Sequence, residues 1–116
     1  MKRGNTHFAA RRWIDAIIAY EEALAYYPGL TDASLNLGYA LVQTGRNEEA
    51  VQTWRQGLAI TPDSILMLLN LGSVLHALGR DSEASSFLER ALLLDPTPEQ
   101  AEQIGQLLAE IHEAGP

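Results

Sequence analysis

The 116-residue chain contains no cysteine, which excludes a disulfide framework and any thiolate-held metal and leaves the redox compartment open. It also lacks a long apolar run: the stretch from Ile65 to Leu71 is interrupted by Asn70 and is far too short to cross a bilayer, so no membrane insertion is expected. Met1-Lys2-Arg3 is not followed by the apolar core of a secretory signal, so the expected location is the cytoplasm, or the soluble part of a larger protein. Positive charge is scarce beyond the amino end. Lys2, Arg3, Arg11 and Arg12 leave four arginines against all fifteen acids in the remainder, for a net of −7. The contiguous basic face that a phosphate backbone requires is missing, which argues against nucleic acid as the main partner.

The constellations of catalysis are missing as well. His7, His76 and His112 lie in separate stretches, with no His-x-x-x-His spacing and no adjoining pair of acids, so they form no metal-ligand set. The neighbours Glu21-Glu22 and Glu48-Glu49 point along different directions of a helix and read as solvated faces. Gly4, Gly38, Gly45, Gly72 and Gly79 are too regularly scattered for a phosphate-cradling loop. Trp13, Tyr20 and Trp54 read as core bulk more readily than as a stacking platform. Neither an enzyme nor a cofactor is expected.

What the chain does have is a period. Asn36-Leu37-Gly38 recurs 34 residues later as Asn70-Leu71-Gly72, and Gly45-Arg46, Ala50, Trp54, Leu58 and Pro62 return as Gly79-Arg80, Ala84, Leu88, Leu92 and Pro96. One period earlier stand Gly4, Ala16, Tyr20, Leu24 and Pro28, a first copy. Within a copy, apolar residues at helical spacing run from Leu35 to Leu41. Gln43-Thr44-Gly45-Arg46-Asn47 then supplies a terminating glycine and an N-capping asparagine, and a second helical pattern runs from Glu48 to Ile60. Each unit reads as two helices, closed by Pro28, Pro62 or Pro96. Gly38, Gly72, Ala50 and Ala84 are small where paired helices approach, and close packing offsets the cost of about 1 kcal/mol of a helical glycine.

These slots carry a resemblance. Leu37, Gly38, Leu41, Ala50, Trp54 and Pro62, and again Leu71, Gly72, Leu75, Ala84, Leu88 and Pro96, are similar to the signature of the tetratricopeptide repeat. The first copy offers Gly4, His7, Ala16, Tyr20 and Pro28, with Arg3 where leucine is usual. The resemblance implies an all-α fold, a right-handed α-solenoid of three helix-turn-helix repeats plus a C-terminal capping helix. The boundaries are 1–30 for repeat 1 with a truncated first helix, 31–64 for repeat 2, 65–98 for repeat 3 and 99–114 for the cap. Thr97-Pro98-Glu99-Gln100 reads as an N-cap, a first-turn proline and a capping-box glutamine opening that last helix. Its apolar stripe is Ala101, Ile104, Leu107, Leu108 and Ile111. Because Met1 falls inside the expected first helix, either the chain is a piece of something longer or that helix is short.

The resemblance further implies a non-catalytic protein-interaction module whose concave face, lined by the first helix of each pair, takes a peptide segment of a partner. The positions expected to line it are Asn5 and Phe8 in repeat 1, Leu35, Asn36, Tyr39 and Val42 in repeat 2, and Leu66, Leu69, Asn70, Ser73 and His76 in repeat 3. This strip is apolar and suits a helical or extended peptide with apolar anchors, unless other chain already covers it. On this reading Leu69→Glu removes binding and leaves stability unchanged. Some tetratricopeptide domains grip acidic chaperone tails with a carboxylate clamp. Here Asn5 and Asn36 match that clamp, but Met1, Leu66 and Asn70 stand where its cations belong. Asn5, Asn36 and Asn70 equally suit bonding within or between helix pairs. The remaining rival is self-assembly, a homo-oligomer joined by the basic first helix and the acidic cap.

Overall fold

The computed structural model describes the backbone of residues 2–114 and the side chains of residues 10–113. Among the described residues there is no strand. Six helices follow one another: α1 (Lys2–Tyr26), α2 (Thr31–Gln43), α3 (Asn47–Ile60), α4 (Ile65–Ala77), α5 (Asp81–Leu92) and α6 (Pro98–Ala114). The chain divides into two compact units, Met1–Ile60 with α1 to α3 and Thr61–Pro116 with α4 to α6.

The turns between α2 and α3 and between α4 and α5 are the same device used twice. Gly45 and Gly79 adopt φ of 79° and 77°, in the left-handed region that a side chain disfavours. Each lets the chain fold back to satisfy the last helical carbonyls. Arg46 N–H reaches the Leu41 carbonyl at 2.8 Å and Gly45 N–H the Val42 carbonyl at 3.0 Å, and Arg80 to Leu75 and Gly79 to His76 repeat the pattern at 2.8 and 2.9 Å. An ion pair follows each turn: Arg46 Nε donates to Glu49 at 2.8 Å on the surface, and Arg80 Nε donates to Glu83 at 2.6 Å in a half-buried position. The hydrogen bond from Arg46 holds the Glu49 carboxyl below the usual carboxylate range and raises the arginine.

The first copy departs from the expected helix pair, for α1 runs unbroken for 25 residues. Where the other copies have Gly45-Arg46-Asn47 and Gly79-Arg80-Asp81, it has Arg11-Arg12-Trp13. Without a glycine to enter the left-handed region, the backbone has no low-cost place to turn. Two further expectations change. Asn47 is the first residue of α3 and not its cap, and its Oδ1 is buried with no hydrogen-bond partner. Pro96 stands beyond the end of α5, which already closes at Leu92. The chain then turns through Asp95 at φ 60° before the proline.

Each unit has its own core. In the first, Ile17, Leu37, Ala40, Leu41, Ala50, Val51, Trp54 and Leu58 are buried. The Trp54 indole N–H donates to the Leu35 carbonyl at 3.2 Å, which ties α3 to α2 and satisfies the ring's polar atom inside the core. In the second, Met67, Leu68, Leu71, Leu75, Leu88 and Ile104 are buried, so α6 closes the apolar face of α4 and α5. The start of α6 is the expected capping box. Gln100 N–H donates to Thr97 Oγ1 at 3.2 Å, and Thr97 N–H donates to Gln100 Oε1 at 2.9 Å.

Candidate protein-interaction face

In the first unit, the expected positions on α2 divide by exposure. Asn36 and Tyr39 are exposed, while Leu35 and Val42 are half-buried. Tyr39 meets Trp13 of α1 edge to face, with ring centroids 5.6 Å apart and planes at 70°. Trp13 is itself only half-buried, so it shapes this face instead of filling the core. The side chains of Asn5 and Phe8 lie outside the described residues.

In the second unit the expected residues of α4 separate further. Leu66 is exposed, Asn70 and His76 are half-buried and Ser73 is exposed. Leu69 is only 7% exposed, which corrects the expectation of a free apolar anchor. Leu69 stands on the side of α4 that faces α6. A charge placed at this buried position is costly, so Leu69→Glu does not test binding with stability held constant.

What α4 and α6 form together is an open hollow of about 260 Å³. Its α4 wall is Leu69, Asn70 and Ser73, and its α6 wall is Gln103, Gln106, Leu107 and Glu110. The four α6 residues follow the spacing i, i+3, i+4, i+7, which brings one helical face onto the hollow. The sequence reading gave α6 a capping role and left its glutamines outside the apolar stripe. The signal that could have found them was this same spacing, read on the polar side of the helix. Chemically the hollow offers two leucines, the donor and acceptor atoms of three amides, one hydroxyl and one carboxylate.

At the edge of the hollow, His76 links three helices. Its Nδ1 lies 2.7 Å from Asp81 Oδ1 at the start of α5, and its Nε2 lies 3.5 Å from Glu110 Oε2 on α6. The arginines of this unit are engaged elsewhere. Arg80 pairs with Glu83, and Arg90 sits 5.7 Å over the Phe87 ring and reaches the Pro62 carbonyl at 3.4 Å. Leu66 and Asn70 supply no charge, so the two cations of a carboxylate clamp are missing from α4. Among the described residues no group of three His, Cys, Asp or Glu side chains is placed to hold a metal, and no helix is long and apolar enough to cross a membrane.

Comparison with known proteins agrees with this architecture. Two family models match, one described as a TPR repeat over residues 38–79 and one as a tetratricopeptide repeat over residues 67–102, together more than half of the chain. No curated protein matches. Among solved structures, the TPR2B domain of yeast Sti1, in a complex with Hsp70, superposes with a TM-score of 0.82 at 20% identity, covering 97% of this chain and 92% of that one. The first TPR domain of Spaghetti (RPAP3), bound to an HSP90 peptide, gives a TM-score of 0.81 at 21% identity and covers 97% and 87%. The second TPR domain of human RPAP3, in complex with an HSP70 peptide, gives 0.78 at 24% identity and covers 96% and 90%. At these identities the likeness concerns the helical-repeat fold. The repeated glycine turns, the paired helices and the matching family models make the chain a member of the tetratricopeptide repeat family.

Proposed function

We propose that this chain is a protein-interaction module without catalytic activity, and that it takes a peptide segment of a partner in the hollow between α4 and α6. The observation that carries the reading is the hollow's chemistry: a floor of Leu69 and Leu107 rimmed by the amides of Asn70, Gln103 and Gln106. Apolar floor and amide rim suit an extended segment, which presents side chains to the floor and backbone groups to the rim. Peptide-bound neighbours of the same fold support a peptide as the class of partner. Their acidic-tail mode does not transfer, because the cations that would meet a carboxylate are missing from α4. On α2, Asn36, Tyr39 and the half-buried Leu35 and Val42 are proposed as a second contact surface within the first unit.

The test is selection of random displayed peptides on the wild-type chain, followed by binding to Ser73→Trp. That substitution starts from an exposed position and fills the hollow without entering the core. Loss of binding with unchanged circular dichroism and melting is the expected result. Selected peptides that all bind Ser73→Trp as well as wild type would sink the site.

A second reading is self-association, and one observation favours it. Ile14 and Ile18, one turn apart on α1, are each 51% exposed and form an apolar pair on its surface. Light scattering over a dilution series decides: a mass that stays monomeric at every concentration removes this reading.

A further inference from the structure

We infer that the segment accepted by the α4–α6 hollow is cationic, an extended peptide that sets an apolar side chain on Leu69 and Leu107 and a lysine or arginine against Glu110. The inference rests on the site reading above and adds the sign of the partner's charge. Glu110 is the one charged side chain lining the hollow. Its side chain is 61% exposed, and among the described residues its carboxylate meets the His76 ring, whose other nitrogen is already held by Asp81.

The field around the hollow has the same sign. Residues 61–116 hold nine of the chain's fifteen acids and two of its eight bases, a net of −7, whereas residues 1–60 hold six of each. The whole net charge of the protein therefore belongs to the unit that carries the hollow. Helix α6, one of its two walls, bears Glu99, Glu102, Glu110 and Glu113 and no lysine or arginine. Both arginines of the unit lie outside the lining. An acidic segment entering here would lose hydration and meet like charge, while a cationic one gains a charge-assisted contact and is drawn in at low salt.

The amides set the rest of the specificity. Asn70, Gln103 and Gln106 each carry both a donor and an acceptor, so they read backbone groups in either polarity and impose no charge of their own. Glu110 alone then distinguishes a cation from an anion.

The experiment uses peptides selected on the full chain and scored for dependence on the hollow with Ser73→Trp. For the tightest of them, affinity is measured by fluorescence anisotropy against wild type and Glu110→Gln, with its basic residue present or replaced by glutamine. The expected result is a lysine or arginine in the hollow-dependent peptides and a loss of roughly three- to tenfold with Glu110→Gln. That loss should vanish once the peptide's basic residue is gone, and binding should weaken between ~0.05 and ~0.5 M salt. Hollow-dependent peptides that are neutral or acidic, or indifferent to Glu110→Gln, would overturn the inference and leave the site standing. Failure to find any hollow-dependent peptide would overturn both. Amide signals of Asn70, Gln103 and Gln106 that shift on dilution before peptide is added would show a second copy in the hollow and overturn the inference.

Discussion

The Trp54 indole lies against the bare Cα of Gly38, so that a Cβ built on the glycine would overlap the ring. The same ring donates its N–H to the Leu35 carbonyl, so it is held by packing and by a hydrogen bond. The equivalent pair in the second unit is Gly72 with Leu88, where a Cβ would stand 2.6 Å from the leucine. Glycine in the middle of a helix is retained at both places because a large residue of the paired helix occupies the position of its side chain.

Gly38→Ala should therefore lower stability by about 2 kcal/mol, although alanine is the better helix former by about 1 kcal/mol. Gly72→Ala should destabilise as well, because the added Cβ would stand 2.6 Å from both Cγ and Cδ2 of the fully buried Leu88. Urea unfolding followed by circular dichroism measures both. A Gly38→Ala variant as stable as wild type would show that the tryptophan moves freely and that the contact is not what retains the glycine.

Leu69→Glu should destabilise the second unit by about 3 kcal/mol or more, since it replaces a buried apolar side chain with a carboxylate. Thermal melting checks it. An unchanged melt would mean that the carboxylate is solvated from the hollow, and would return that residue to the exposed anchor role expected of it from sequence.

Gly45→Ala should cost about 1 kcal/mol, because at φ of 79° any Cβ is strained even though open space surrounds the glycine. The contrast with Gly38 is diagnostic: one glycine is needed for its backbone angle and the other for its missing side chain. Pairing each alanine variant with a Trp54→Leu background separates them. Relief should appear at Gly38 and not at Gly45, and equal relief at both would contradict the assignment.

Much of the fold is legible from the spacing of a few residues. Recurrence at 34 exposes the repeat, Gly45 and Gly79 announce the two tight turns, and Thr97 with Gln100 opens the last helix. These are local decisions, set by which backbone angles and nearby donors each residue allows, so a linear text can state them. The continuous α1 is written in the chain as well, since Arg11-Arg12-Trp13 offers no glycine for a turn.

The candidate site was legible only in part. Sequence offered Asn70 and Ser73 as lining residues of α4, and both line the α4–α6 hollow. It also offered Leu69 as a free apolar anchor, and it left Gln103, Gln106 and Glu110 outside the apolar stripe of the cap. Exposure depends on how much of one helix its neighbour covers, a quantity carried by the packing distance and rotation of α6 on α4 and by no single residue. The chain alone determined helix, turn, repeat and the concentration of acidic charge in its second half. Tertiary packing decided which of those side chains meet, because burial and cavity shape arise from pairs of surfaces and exist only once both are in place.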